Sequence, residues 1–351
     1  MTPRRFVPGL ELARSFYAEV VGPIVAGRSH AAALLGYGSD VLGYDTERST
    51  DHGWGPRLQV ILADDHASDD IDALRLALHE RLPARHRGWP VRFGWDAVLE
   101  QHHVAVVTTA AFYQRWLGFD PRRGLDVFDW ITTPEQLLLE MTRGGVFHDD
   151  LGEITRVRAE LAHYPDDVWL WLLACQWQRL AQEEPFVGRT AEVGDDLGSR
   201  VLAARLVRDV MALCFRLERA YAPYPKWFGT AFAQLDAARE VGPALTRALY
   251  ADRSDEREAA LVDAYEAVAR RHNALGVTEA VDPTARPFHT RPFRVLDAAR
   301  FADACRARVT DPQLRELPTI GGVDQWSDNT DLRQTPAVLR RARALYGPPQ
   351  P

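Results

Sequence analysis

LLGYGSDVLGYDTERSTDHGWGPRLQVIL, residues 34–62, decides the fold. Two apolar runs bracket it. HAAALLGY (30–37) ends in Gly-Ser-Asp and reads as a buried strand feeding a turn; RLQVILA (57–63) reads as a second strand. The segment between them, 38–56, is rich in Gly, Asp, Ser and Thr and reads mostly as loop. At such a turn Gly38 lets the backbone approach a phosphate. Ser39 can hydrogen-bond a phosphate oxygen, and the N–H groups from Asp40 onward add donors. Asp51 follows Ser39 by 12 positions, just before the second strand. There it is placed to hold a divalent cation, Mg²⁺, whose charge neutralises a leaving pyrophosphate. Arg57 offers a bidentate phosphate contact.

Working outward, residues 9–28 carry apolar side chains at helical spacing, and 70–82 read as an amphipathic helix with an acidic start. VRFGW (91–95) and HVAVVTT (103–109) read as further strands. After Thr109 the texture becomes helical over 111–118, 134–142, 153–163, 168–182, 197–221, 227–240, 242–250 and 254–275. Residues 276–295 hold three prolines and read as a long connection. Helical stretches near 296–308 and 335–346 follow it. The expected organisation is an α/β domain over 1–130 and a helical domain over 131–351, with a ligand cleft between them.

Composition narrows the function. The 351 residues are 46% hydrophobic and 26% charged, enough to bury a real core. A net charge of -7 disfavours a generic nucleic-acid coat or an anionic-membrane binder. VWLWLLA (168–174), the most apolar run, is far shorter than the roughly 20 residues that span a bilayer. No apolar leader is evident at the N-terminus. Three scattered cysteines without CxxC spacing argue against a disulfide framework and a structural zinc site. A cytoplasmic protein is expected. Lys226 is the single lysine among 42 basic residues. A lysine kept in so arginine-rich a chain points to a place for a compact ammonium, with chance survival the plain alternative.

The 34–62 segment resembles the nucleotidyltransferase superfamily, whose pattern is Gly-Ser, a spacer of about ten residues, then Asp-x-Asp on the next strand. More closely, the chain resembles an uncharacterised bacterial domain family placed near the aminoglycoside (kanamycin) nucleotidyltransferases. The matching stretches are GYGSDVLGYDTERSTDHGWGPR (36–57), RWLGFDP (115–121), YPDDVWL (164–170), YAPYPKWFG (221–229) and IGGVDQWSDNTD (320–331). The resemblance implies an α+β fold, a small mixed-sheet nucleotidyltransferase-like domain followed by a larger helical domain. It maps Gly38 and Ser39 onto the phosphate turn and Asp51 onto the first metal carboxylate. Gly53 stands where the second carboxylate belongs, which puts two-metal chemistry in doubt. Asp64, Asp65 or Glu100 are the candidates to replace it.

The resemblance further implies that Lys226 contacts the triphosphate and that an acidic residue, Glu183 or Glu184, acts as general base. A solvated helix end is the plainer reading of those glutamates. Tyr224 and Trp227 are candidates to stack on a base, or to pack at a helix junction. Arg189 reads as a phosphate ligand or a partner of Asp195; Asp209 needs a partner, Arg205 or Arg208. Arg158 and His163 match the Arg-x4-His spacing of helical ribonuclease toxins, although a histidinium at a helix C-terminus is the bland alternative. His102, His103, His148 and His289 show no HxxxH or HExxH spacing, so zinc catalysis is disfavoured. The function expected is Mg²⁺-dependent transfer of a nucleoside monophosphate, AMP from ATP or the equivalent from another NTP, to a hydroxyl of a small-molecule acceptor. The alternative is a nucleotidyltransferase-like nucleotide-binding or regulatory protein that has lost transfer chemistry.

Overall fold

The computed structural model describes residues 5–347. The fold is α+β, with one small mixed sheet and a larger helical region. Two compact units divide the chain. One holds residues up to Gly124, Leu137–Ala162 and Gln334–Ala337; the other holds Leu125–Gln136, His163–Arg333 and residues from Val338.

The α/β unit is built on a five-stranded sheet. Its order is Arg92–Trp95, Val98–Thr108, Arg57–Leu62, His30–Leu34, Gly145–Asp149. The His30–Leu34 strand runs antiparallel to both neighbours, and Arg57–Leu62 runs parallel to Val98–Thr108. Alternation sorts the side chains. Leu58, Val60, Leu62, Val104 and Val106 join Phe16, Val21, Leu74 and Leu78 in one buried cluster. Phe16 and Val21 come from a helical segment that opens at Gly9, and Leu74 and Leu78 from the helix Ser68–Arg81.

The four expected strands are present. The fifth, Gly145–Asp149, was not expected. Its five residues, GVFHD, show no clean alternation and follow a helix. The 9–28 helix is also less regular than its spacing predicts: one π-helical turn, Tyr17–Val21, interrupts it.

In the helical unit, Asp166–Glu183, Asp196–Leu217 and Ser254–Ala274 are the long helices. The expected 227–240 and 242–250 helices divide elsewhere. One is Pro225–Phe232 and the next, Ala237–Tyr250, runs straight through Pro243. The boundary is set by Glu218, whose carboxylate accepts the N–H groups of Asp236 (3.0 Å) and Ala237 (2.6 Å). A helix start needs such acceptors, and this one comes from another helix. Within the same unit Arg216 and Glu135, both buried, pair at 2.9 Å. Among the described residues, no helix is long and apolar enough to cross a membrane.

His272 is fully buried in this unit. Its Nδ1 accepts the Trp177 indole N–H at 3.1 Å, and its Nε2 lies 2.9 Å from the Thr278 hydroxyl. Burial lowers its pKa from 6.5 to about 4. The unfolded chain takes up the proton near 6.5 and the folded chain only near 4. Stability is therefore full above pH 6.5 and falls as pH drops through that window, by on the order of 3 kcal/mol for this residue. Melting temperature measured from pH 7 to 4 should fall, and His272→Gln should flatten the slope.

Candidate functional site

The turn after the first strand is where sequence and structure meet most closely. Gly38 has φ 134°, and a four-residue helix, Ser39–Leu42, starts directly after it. Asp40 turns inward and is buried. Arg57, the first residue of the second strand, donates to it through Nη2 (2.6 Å) and Nε (3.3 Å). The same Nη2 donates to the Tyr37 carbonyl at 2.9 Å. A Cβ on Gly38 would strike both the Asp40 carboxylate and the Arg57 guanidinium. The glycine thus makes room for an internal ion pair. The phosphate contact expected of Arg57 falls to a side chain already bound to the Asp40 carboxylate.

The next strand, RLQVIL, carries no carboxylate. Two residues on from Arg57, the Gln59 amide bridges the backbone of Leu35. Its Oε1 accepts the Leu35 N–H and its Nε2 donates to the Leu35 carbonyl, each at 3.0 Å. A carboxylate there could satisfy the first bond and would repel the carbonyl in the second. Asp51 lies ahead of the strand, in the short 3₁₀ turn Glu47–Asp51, exposed and 2.7 Å from the His52 ring. Of its proposed companions, Asp64 accepts the Ala110 N–H (2.7 Å) and pairs with Arg122 (2.6 Å). Asp65 is exposed beside His66, and Glu100 is exposed on the rim of the cleft described below. Among the described residues, the one histidine, cysteine or carboxylate group of three close enough for a single ion is His30, His148 and Asp150.

A cavity of about 680 Å³ opens along the sheet, lined by Tyr37, Arg57, Gln59, Arg75, Arg92, Glu100, His102, His103, Arg115 and Trp116. That volume falls inside the range of about 300–1,000 Å³ usual for small-molecule sites. The Arg92–Trp95 strand pairs with its neighbour only as far as His102, which leaves residues beyond it with an open edge. Arg75 donates to the Val106 carbonyl on that edge (2.9 Å). Arg92 and Arg115 make no ion pair among the described residues; Arg92 donates to the His79 carbonyl at 2.6 Å. Burial lowers the pKa of His102 and of His103, so both imidazoles are neutral near pH 7. The cleft therefore presents guanidinium charge against one carboxylate.

Two aromatic rings complete it. Tyr37 is 44% exposed, yet its ring is held 5.0 Å from the Arg57 guanidinium carbon. Trp116 stands 6.0 Å from Tyr37. Gly36, at φ +87°, leaves the space that the Trp116 ring fills. Sequence reasoning named neither ring as a site residue. The signal available was the RWLGFDP stretch, which placed Arg115 and Trp116 beside each other.

The remaining candidates lie in the helical unit, apart from Arg158. Lys226 is exposed at the start of its helix, its ammonium 5.1 Å from the Trp227 ring. Tyr224 is half-buried, and its N–H donates to Gln136 Oε1 at 2.9 Å. Glu183 pairs with Arg205 at 2.8 Å. Its neighbour Glu184 is buried and accepts the N–H groups of Leu296 (2.6 Å) and Ala298 (2.9 Å); burial lifts its pKa to about 7. Asp209 takes Arg179 as its partner at 2.7 Å, in place of Arg205 or Arg208. Asp195 caps its helix through the Gly198 N–H. Asp324, within the IGGVDQWSDNTD stretch, accepts the Glu135 N–H at 2.8 Å, a structural use. His163 is no histidinium: burial lowers its pKa to about 4. Arg158, in the α/β unit, donates to the Thr142 carbonyl.

Residues 130–228 match a family described as a domain of unknown function, DUF4037. No curated protein matches the chain. Among solved structures, the chain is similar to a nucleotidyltransferase-like protein from Exiguobacterium sibiricum 255-15. The two are 11% identical over 86% of this chain and 89% of that one, with a TM-score of 0.36. A score that low carries no correspondence of site residues.

The turn yields two stability tests. Asp40→Ala leaves the Arg57 charge buried and unpaired, and should cost about 3–5 kcal/mol in urea unfolding. Gln59→Glu should cost about 1–3 kcal/mol, because the Leu35 carbonyl loses its donor.

Proposed function

We propose that this chain is a nucleotidyltransferase-like protein that binds a nucleoside triphosphate in the α/β cleft and does not carry out two-metal transfer. The observation that carries this reading is the charge and ring inventory of the cleft. Arg92 and Arg115 line it and make no ion pair among the described residues, and the rings of Tyr37 and Trp116 line it beside them, with the guanidinium groups of Arg57 and Arg115 lying over those rings. Guanidinium groups suit phosphate oxygens, and aromatic faces suit a base. Two-metal transfer needs carboxylates converging on both ions and on the nucleophile. Arg57 and Gln59 occupy the strand after the phosphate turn, and both are bound to neighbouring residues. The DUF4037 match over residues 130–228 fits an uncharacterised bacterial family of this kind.

Calorimetric titration with ATP, GTP, CTP and UTP, each with and without Mg²⁺, tests the reading. Binding of at least one nucleotide is expected without an absolute need for Mg²⁺. Arg92→Ala, Arg115→Ala and Trp116→Ala should each weaken it about tenfold, a loss of roughly 1.4 kcal/mol. Asp51→Ala and Lys226→Ala should bind as the wild type does. No label should pass from ATP to small-molecule hydroxyl acceptors. Mg²⁺-dependent binding lost in both Asp51→Ala and Lys226→Ala would overturn the binding-only reading in favour of AMP transfer.

A further inference from the structure

The far side of the sheet from the cleft carries a second cluster. Gly145–Asp149 pairs with His30–Leu34, and the register shifts within it: Ala33 faces Val146, whereas Ala32 faces His148. Phe147 is the extra residue. Strict alternation would set His148 opposite Ala31 and turn it to the other face. The bulge sets it opposite Ala32, on the face that His30 shares. The two rings are stacked, 4.5 Å apart at an interplanar angle of 30°, so a shared ligand requires one of them to turn about its Cβ–Cγ bond.

Asp150 closes the group. Its Oδ2 accepts the His30 backbone N–H at 3.0 Å, and its Oδ1 lies 2.9 Å from His148 Nε2. One ligand atom from each of His30, His148 and Asp150 lies within 4.8 Å of the other two. The first imidazole is already oriented. His30 Nδ1 is 2.8 Å from the Arg28 carbonyl, which can only accept, so Nδ1 holds the proton and Nε2 the lone pair. Metal-bound histidines are held in this way by their outer contacts. His30 is 5% exposed. The Tyr17 hydroxyl lies 3.0 Å from Nε2.

We propose that His30, His148 and Asp150 bind one divalent transition-metal ion of the zinc class, with water in the remaining position. Two imidazole nitrogens and one carboxylate oxygen select Zn²⁺ over Mg²⁺, which takes oxygen ligands. Three protein ligands leave a coordination position open, the count of reactive zinc sites rather than closed structural ones. The ion replaces the proton that His148 Nε2 shares with Asp150, and that proton moves to Nδ1 of the same ring. The cluster and the nucleotide cleft lie on adjacent strands but on opposite faces of the sheet: His30 pairs with Leu62, whose side chain alternates with those of Arg57 and Gln59.

Full-length protein stripped with chelator and titrated with Zn²⁺ by calorimetry tests this. One Zn²⁺ per chain should bind, a large excess of Mg²⁺ should not compete, and Co²⁺ should give visible absorption bands of a four-coordinate site. His148→Ala and Asp150→Ala, both at partly exposed positions, should weaken binding more than about 100-fold, beyond the loss typical of an outer contact. Tyr17→Phe should leave the stoichiometry at one. Melting curves of each variant establish that it is folded. Absence of saturable Zn²⁺ binding to the wild type, or binding that survives in both folded alanine variants, would overturn the proposal.

Discussion

The buried pair of Asp40 and Arg57 is the constraint on which the α/β unit turns. It ties the loop after the first strand to the first residue of the second. Desolvating two charges is costly, and the geometry offsets that cost: the guanidinium makes two contacts to the carboxylate and a third to the Tyr37 carbonyl. The pair forbids a side chain at Gly38. It also places Tyr37, whose ring rests against the same guanidinium at the mouth of the cleft. A turn with the composition of a phosphate cradle is filled by the protein's own charges, and the open cationic surface lies beside it, at Arg92 and Arg115.

Register decides the opposite side of the sheet. Phe147 is one residue too many for regular pairing, and the consequence is chemical. The extra residue brings His148 to the face of His30, across strands that are more than 110 residues apart in sequence. HxxxH and HExxH spacings report histidines that share a helix. A pair assembled across two strands leaves no such spacing.

Much of the fold was legible. Alternation and apolar runs predicted four of the five strands, and helical spacing predicted the long helices of the second unit. Boundaries were less legible where the capping group is remote. Glu218 starts the helix at Ala237, and Glu184 holds the turn at Leu296 and Ala298. Asp167 does the same for Thr310 and Asp311. In each case the orphan N–H groups and their acceptor are far apart in the chain, so no local pattern announces them. The candidate site was legible in part. Gly38, Asp40 and Arg57 do come together, but as partners of one another.

By itself the sequence determined the periodicities, and with them a small sheet joined to a helical body. It also determined that position 53 is glycine and that the strand at 57–62 has no acid. These are properties of single positions and near neighbours, where side-chain direction follows from the 2.0 and 3.6 repeats. Tertiary structure decided which charges are spent internally and which face a cleft. It decided that Tyr37 and Trp116 stand together and that His30 meets His148. Those outcomes depend on register, on one bulged residue and on caps borrowed from distant helices, all of which exist only once the strands and helices have packed.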